Sequence, residues 1–587
     1  MYNKIKLIPI IIFSAMVPLI MRLKPYAIPQ EMFEVYKNTR IHSDFYSYYK
    51  MMWIIIAAVL ALIVLLKYFN KEKFLKNFKS KINILLLILM VFIIVSSIMS
   101  PYKSIVIFGF VDRFEGMLVQ LAYITMVLYI NNFIEDKSDI KCIVKCIIIS
   151  SGILGIMGIL EFYGHNILAT NIGRKLILPL SLHDKLGVIN FSIKDKSISS
   201  TLYNPNFVGS YMVMTTFLGL SMLFKAVNIK EKFLYGAYTL LMFFNLVGCN
   251  SAAGRVGYFG AFALMLIILN KKIVFRKDIA ASLLLAIVLI FVAPSVMGIS
   301  GVVDEVIKNE ADVSSAVTSS DKYNSKFEFS KDNVIMNFDG RDVEVKIKGS
   351  IVNFYVDGEK MKYDIEKDTR RIVLRDDSLS KYQFVLSKEK NAIAVKYDTF
   401  SYILYLTKDG FQLYDQYKRP LKYEVVDEFK PLIGLEKIGS SRGYLWKTSI
   451  PLMKDSLIIG SGPDTFAAVF PQHDLLGKYK FLSTSYAYVD KPHNTYIQIG
   501  VQTGVVSLLV YLGILVIYGF KSFRLYFKGV ENDLYYYGVG MLCAVFGYSV
   551  TALFNDSNVS VAPMFWTILG LGVVINKIYE NSISEEF

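Results

Sequence analysis

Apolar residues fall along this chain in blocks of about 15 to 23, close to the length an α-helix needs to cross the hydrocarbon core of a bilayer. Twelve blocks are readable, at 7–21, 51–66, 82–99, 117–134, 146–162, 205–224, 233–249, 256–270, 279–297, 497–519, 534–553 and 561–576. A different pattern interrupts them between Gly298 and Ser440. There charges are dense and mixed, and Val343, Val345 and Ile347 alternate with Glu344, Lys346 and Lys348, the period of a strand buried on one face. Asp339-Gly340, Asp357-Gly358 and Asp409-Gly410 are hairpin turn pairs between such runs. The pattern predicts an all-α polytopic membrane protein of about twelve transmembrane helices, with an extracytoplasmic β domain inserted in it. Four segments follow: helices and outer loops at 1–297, the mostly β insertion at 298–440, an extracytoplasmic loop with short helices at 441–496, and the last helices with a cytoplasmic tail at 497–587.

Composition supports that reading. The 587 residues are 54% hydrophobic with a mean hydropathy of +0.43, too apolar for an ordinary soluble protein. A net charge of +15 would suit nucleic acid, but many of the lysines lie in short connections between apolar blocks, where cytoplasmic positive bias explains them. With the N-terminus inside, the inner loops before 534 hold 19 basic residues in 56 positions. The outer loops before 256 hold 13 in 94, so the denser side is cytoplasmic and no nucleic-acid partner is expected. Leu7 to Ile20 resembles a signal peptide, yet Arg22 and Lys24 follow it without a small-residue cleavage site, which reads as a retained anchor. The four cysteines form neither a disulfide framework nor a C-x-x-C pair. Carboxylates are scattered in the first outer loop (Glu31, Glu34, Asp44), and no metal or cofactor is expected.

Chemistry concentrates between Ser441 and Gly504, which puts Arg442, Asp464 and His493 at a membrane surface. An imidazole such as His493, in the run Lys491-Pro492-His493-Asn494, can take a proton from an attacking hydroxyl; as a structural group it would only hydrogen-bond. Arg113 in GFVDRFEG, Arg174 with Lys175 and Lys185 in the 163–204 loop, Arg255 in CNSAAGRVGYFG, and Arg442 offer planar forks for phosphate oxygens. Snorkelling to lipid headgroups is the plainer role for each, least so for Arg255 beside a tight small-residue turn. Gly460 to Phe466 looks like a phosphate loop but lacks its lysine, and Asp464 also reads as the cap of the following helix. Trp446, one helical turn after Arg442, can stack on a sugar or anchor at the interface.

At these residues the chain resembles the O-antigen ligase/polymerase superfamily, WaaL- and Wzy-like proteins that share the Wzy_C region. GFVDRFEG, TLYNPNFVGSYM and SAAGRVGYFG carry part of the likeness, and SRGYLWKTSIPLMKDSLIIGSGPDTF through KPHNTYIQIGVQTGVVSLL carries most of it. The resemblance implies a GT-C-like, metal-independent glycosyltransferase that uses an undecaprenyl-pyrophosphate-linked glycan donor at the outer face of the bacterial cytoplasmic membrane. The acceptor would be a glycan, lipid or protein hydroxyl. His493 would match the family's catalytic histidine, and Arg255, Arg442 and Arg113 its pyrophosphate-binding arginines. A transporter or flippase of lipid-linked oligosaccharide is the alternative. It would call for ionisable residues at mid-membrane and similar halves, whereas these spans are almost free of charge and show no repeat. A membrane-anchored sensor is a third reading.

Overall fold

Apolar blocks of this length fold as helices because a backbone in hydrocarbon must satisfy its own N–H and C=O groups. The computed structural model describes residues 2–29, 32, 40–68, 70, 72, 77, 79–185, 196–275, 277, 327–338, 341–348, 351–366, 368–379, 382–386, 392–397, 400–408, 410–415, 420–424, 426–484 and 487–584. Among them, seven helices are long and apolar enough to cross a membrane: Tyr48–Lys67, Lys81–Met99, Lys137–Phe162, Pro205–Lys225, Ala252–Asn270, Val505–Phe527 and Ala562–Ile583. Ile8–Leu19 and Met117–Phe133 are shorter apolar helices. Ile229–Gly248 and Asp533–Thr551 pack against Pro205–Lys225, but a charged first turn in one and tyrosines and glycines in the other dilute their hydropathy. The chain is thus a helical multi-pass membrane protein with seven candidate spans among the described residues, fewer than the twelve expected. The expected span 279–297 lies outside the described residues.

By contact the chain divides into two compact units, Met1–Ile307 with Leu452–Val469 and Asp490–Phe587, and Lys308–Pro451 with Phe470–Val489. In the first, Pro205–Lys225 is the central helix. Its most apolar window is 94% buried, against 28% for Val505–Phe527, which keeps a face for lipid.

The expected continuous span 497–519 is two helices, Thr495–Gln502 and Val505–Phe527. Gly504 breaks them at φ 108, ψ 156, a backbone region open essentially to glycine. Ser456 and Leu457 carbonyls accept from the Val505 and Val506 N–H groups and so cap the second helix. A Cβ at Gly504 would lie 2.4 Å from the Ile458 carbonyl oxygen. Gly504→Ala is therefore expected to cost about 1–3 kcal/mol and to lower the thermal unfolding midpoint in detergent. Gly519→Ala, in the same helix with nothing within 4 Å of the added carbon, should not.

In the second unit two antiparallel sheets follow the chain order. Five strands run from Phe327–Phe329 to Glu359–Met361 and seven from Tyr363–Ile365 to Pro420–Leu421. Val343 and Val345 are buried, as alternation predicts, in a core shared by both sheets, where Phe354 meets Phe384 at 5.2 Å. Asp357 (φ 50) and Gly358 (φ 85) make a tight left-handed hairpin turn. The helix Ile438–Ser449 also belongs to this unit, and the stretch 441–496 is shared between the two.

Candidate functional site

The DRFEG motif folds as a loop wound around one carboxylate. Asp464 Oδ2 accepts from the Phe110 N–H at 2.8 Å and the Glu115 N–H at 3.1 Å, and Oδ1 accepts from Lys491 Nζ at 2.6 Å. The loop closes this tightly because Gly109, at φ 106, has no Cβ; one built there would lie 2.6 Å from Asp464 Oδ2. Asp464 is fully buried with both oxygens engaged. Expected as a helix cap or a substrate contact, it instead positions the loop and Lys491.

That loop delivers two further groups. Arg113 donates through Nε at 2.7 Å and Nη2 at 2.5 Å to Asp490 Oδ2, and its guanidinium lies 5.8 Å from the Tyr203 ring centre. Burial works against the Arg113 charge, but Asp490 and Asp556 outweigh it and raise its pKa. Glu115 Oε1 accepts from Ser557 Oγ at 2.6 Å and Tyr123 OH at 3.0 Å. His42 pairs with Asp112 at 2.8 Å one residue before Arg113.

His493 sits two residues beyond Lys491 with a left-handed φ of 49°. Asn494 follows and caps the helix Thr495–Gln502, its side-chain oxygen accepting from the Tyr496 and Ile497 N–H groups at 3.0 Å. The same residues are tied to the 552–556 turn: Asn494 donates to the Leu553 carbonyl, and the Thr495 N–H and hydroxyl both reach the Asn555 carbonyl. These ties bring His493 Nδ1 within 2.8 Å of Asp556 Oδ2. The His493 side chain is 42% exposed and that of Asp556 1%. Burial pushes the Asp556 carboxyl up, but His493, its hydrogen bond, Arg113 and Lys491 outweigh it and hold the pKa down at about 2. An ionised Asp556 makes Nδ1 the protonated nitrogen and leaves the lone pair on Nε2, the tautomer a general base needs.

Arg255 opens the neighbouring helix, and its Nη1 donates to Asn250 Oδ1 at 2.9 Å. Polar links connect this turn to the dyad: Ser251 Oγ donates to Asn206 Oδ1, and Asn555 Nδ2 donates to the Asn206 carbonyl. Lys50 Nζ joins the 196–204 and 553–560 segments through the Thr201 carbonyl and Ser560 Oγ. One end of the bundle thus gathers Arg113, Lys491, His493 and Asp556, with Arg255 on an adjoining turn. Arg174 lies half-buried on the short helix Asn171–Ile177. Arg442 and Trp446, both half-buried, are in the second unit, where Arg442 Nη1 donates to the Gly439 carbonyl at 2.7 Å.

Asp556, Glu115, Lys491 and Asp490 went unread in the sequence. Three of them lie inside or beside motifs already singled out, and Asp556 is the one carboxylate of the short 554–560 turn between apolar helices. Among the described residues no group of three or more His, Cys, Asp or Glu could hold a metal ion.

Residues 399–512 match the family model for the O-antigen ligase domain, Wzy_C. Arg442, Asp464 and His493 fall within the match, and Arg113, Arg255 and Asp556 outside it. No curated protein and no solved structure matches the chain.

Proposed function

From the O-antigen ligase domain and the dyad it contributes to, we propose that the chain is a membrane glycosyltransferase. It moves a glycan from undecaprenyl pyrophosphate to an acceptor hydroxyl at the outer face of the bacterial cytoplasmic membrane, on a GT-C-like bundle of about twelve helices. The supporting observation is His493 held by the buried Asp556 while its ring remains exposed. Nε2 takes the acceptor's proton, the oxygen attacks the anomeric carbon, and the glycosyl–phosphate bond breaks with its electron pair leaving on the diphosphate. The acceptor is another lipid-linked glycan, a different lipid or polymer, or a protein.

A diphosphate is already a good leaving group, so catalysis rests on meeting its developing charge. Arg255 is oriented by the neutral amide of Asn250, whereas Arg113 is held by the carboxylate of Asp490. Arg255 is assigned the grip on the phosphates, with Arg113, tied to Asp490, holding the 490–493 segment in place. The transfer is a single displacement with inversion at the anomeric carbon, and the family resemblance makes it metal-independent. Reconstitution with an undecaprenyl-pyrophosphate glycan tests this. Arg255→Ala is expected to lower kcat/KM about 10²–10³-fold; turnover equal to wild type in both Arg255→Ala and His493→Ala removes the site assignment.

A further inference from the structure

Against Glu115 lies a cavity of about 60 Å³, with both of its hydroxyl donors, Tyr123 and Ser557, in the wall. Polar groups on its wall include Glu115, Gln120, Gln498, Gln502 and Thr503, set among Tyr123, Tyr548 and Trp566. Two polar atoms of that wall, Glu115 Oε2 and Gln502 Nε2, are buried and have no hydrogen-bond partner among the described residues. Their side chains belong to residues 1% exposed. A buried polar atom without a partner is costly, and a space of this size with polar walls accommodates about four water molecules.

We propose that this cavity is a water-filled proton-binding site, in which Glu115 takes up a proton when the anionic donor binds. The coupling rests on the donor assignment above; the proton site itself does not. Glu115 Oε2 lies 4.0 Å from Lys491 Nζ, which Asp464 holds at 2.6 Å. With Glu115 ionised, this buried trio carries one net negative charge; with Glu115 protonated it is neutral. A diphosphate arriving at the adjacent dyad meets less repulsion in the protonated state, and linkage makes the effect reciprocal.

The charged and titratable groups around Glu115 are Lys491, Asp464, Tyr123 and Tyr548, with Asp556 and Arg113 reaching it through Lys491. Burial raises the Glu115 carboxyl, only partly offset by Lys491 and Ser557, to about 7. Because that value is raised, its contribution to stability is complete below the ordinary carboxyl range and is lost as pH rises through about 7.

Infrared difference spectra of the full-length protein in detergent, taken between pH 6 and pH 8, test the site without a substrate. A protonated-carboxyl band present at pH 6, lost at pH 8 and missing in Glu115→Gln supports it; an unchanged band in that variant overturns it. Calorimetric titration with farnesyl diphosphate at pH 7, in two buffers of different ionisation enthalpy, tests the coupling. Wild type should take up protons on binding and bind about fivefold or more tightly at pH 6 than at pH 8. Glu115→Gln should take up fewer protons and show a correspondingly smaller pH dependence. Equal proton uptake in both overturns the coupling alone. If farnesyl diphosphate fails to bind either protein, the donor assignment falls with the coupling, and the infrared result still decides the proton site.

Discussion

Replacing His493 with alanine is expected to lower kcat for glycan transfer by about 10²–10⁴, the factor a positioned general base contributes. Donor binding should change little, because in the proposed mechanism the imidazole acts on the acceptor. Asp556→Asn should forfeit most of the same factor while leaving His493 in place. The carboxamide can offer its NH₂ to Nδ1 and so move the ring proton to Nε2, the nitrogen that has to accept. The double variant should then be no slower than His493→Ala alone, since both changes remove one device. The pH profile separates positioning from mere structure. With its pKa held at about 2, Asp556 stays charged through any pH at which the enzyme works, and its stabilising pairing is lost only as pH falls through that value. An acid limb of the wild-type profile therefore belongs to other groups, and Asp556→Asn should depress the plateau. Single-turnover rates with a labelled undecaprenyl-pyrophosphate glycan read all of this. A double variant far slower than either single one would dissolve the dyad.

The positions of the helices were legible because hydropathy blocks report directly on which segments can leave water, and the β insertion because a two-residue period survives even in a charged segment. What was not legible follows from the same physics. The break at Gly504 sits inside an apolar run, where window hydropathy cannot register a single positive φ. His493 drew notice through its neighbours, but its orienting group is 63 positions along the chain and comes near only when the 552–556 turn folds onto Asn494 and Thr495. Arg113 read as a candidate phosphate-binding cation because sequence shows charges without partners. In the fold Arg113 pairs with Asp490, tying the DRFEG loop to the 490–493 segment, and Lys491 pairs with Asp464. Carboxylates that tie loops together look, in sequence, like any surface acid.

Asp464 makes that last point testable. Its removal leaves the Lys491 ammonium buried with Glu115, at 4.0 Å, as its nearest carboxylate among the described residues, and strips two loop N–H groups of their acceptor. Breaking a buried pair from one side typically costs about 3–5 kcal/mol, because the surviving charge is left desolvated. Asp464→Ala should therefore unfold at a clearly lower temperature in detergent and lose transfer activity together with loop order. Asp464→Asn keeps an acceptor for the two N–H groups but not the charge, and should fall between. The informative variant is the double change Asp464→Asn with Lys491→Met, which removes both charges while keeping the loop's acceptor and the aliphatic stem. Replacing a buried pair as a unit is often close to neutral, so the double variant should regain most of the thermal stability that Asp464→Asn loses. If Asp464→Ala melts with wild type, the carboxylate is not what holds the DRFEG loop, and the dyad's position must have another cause.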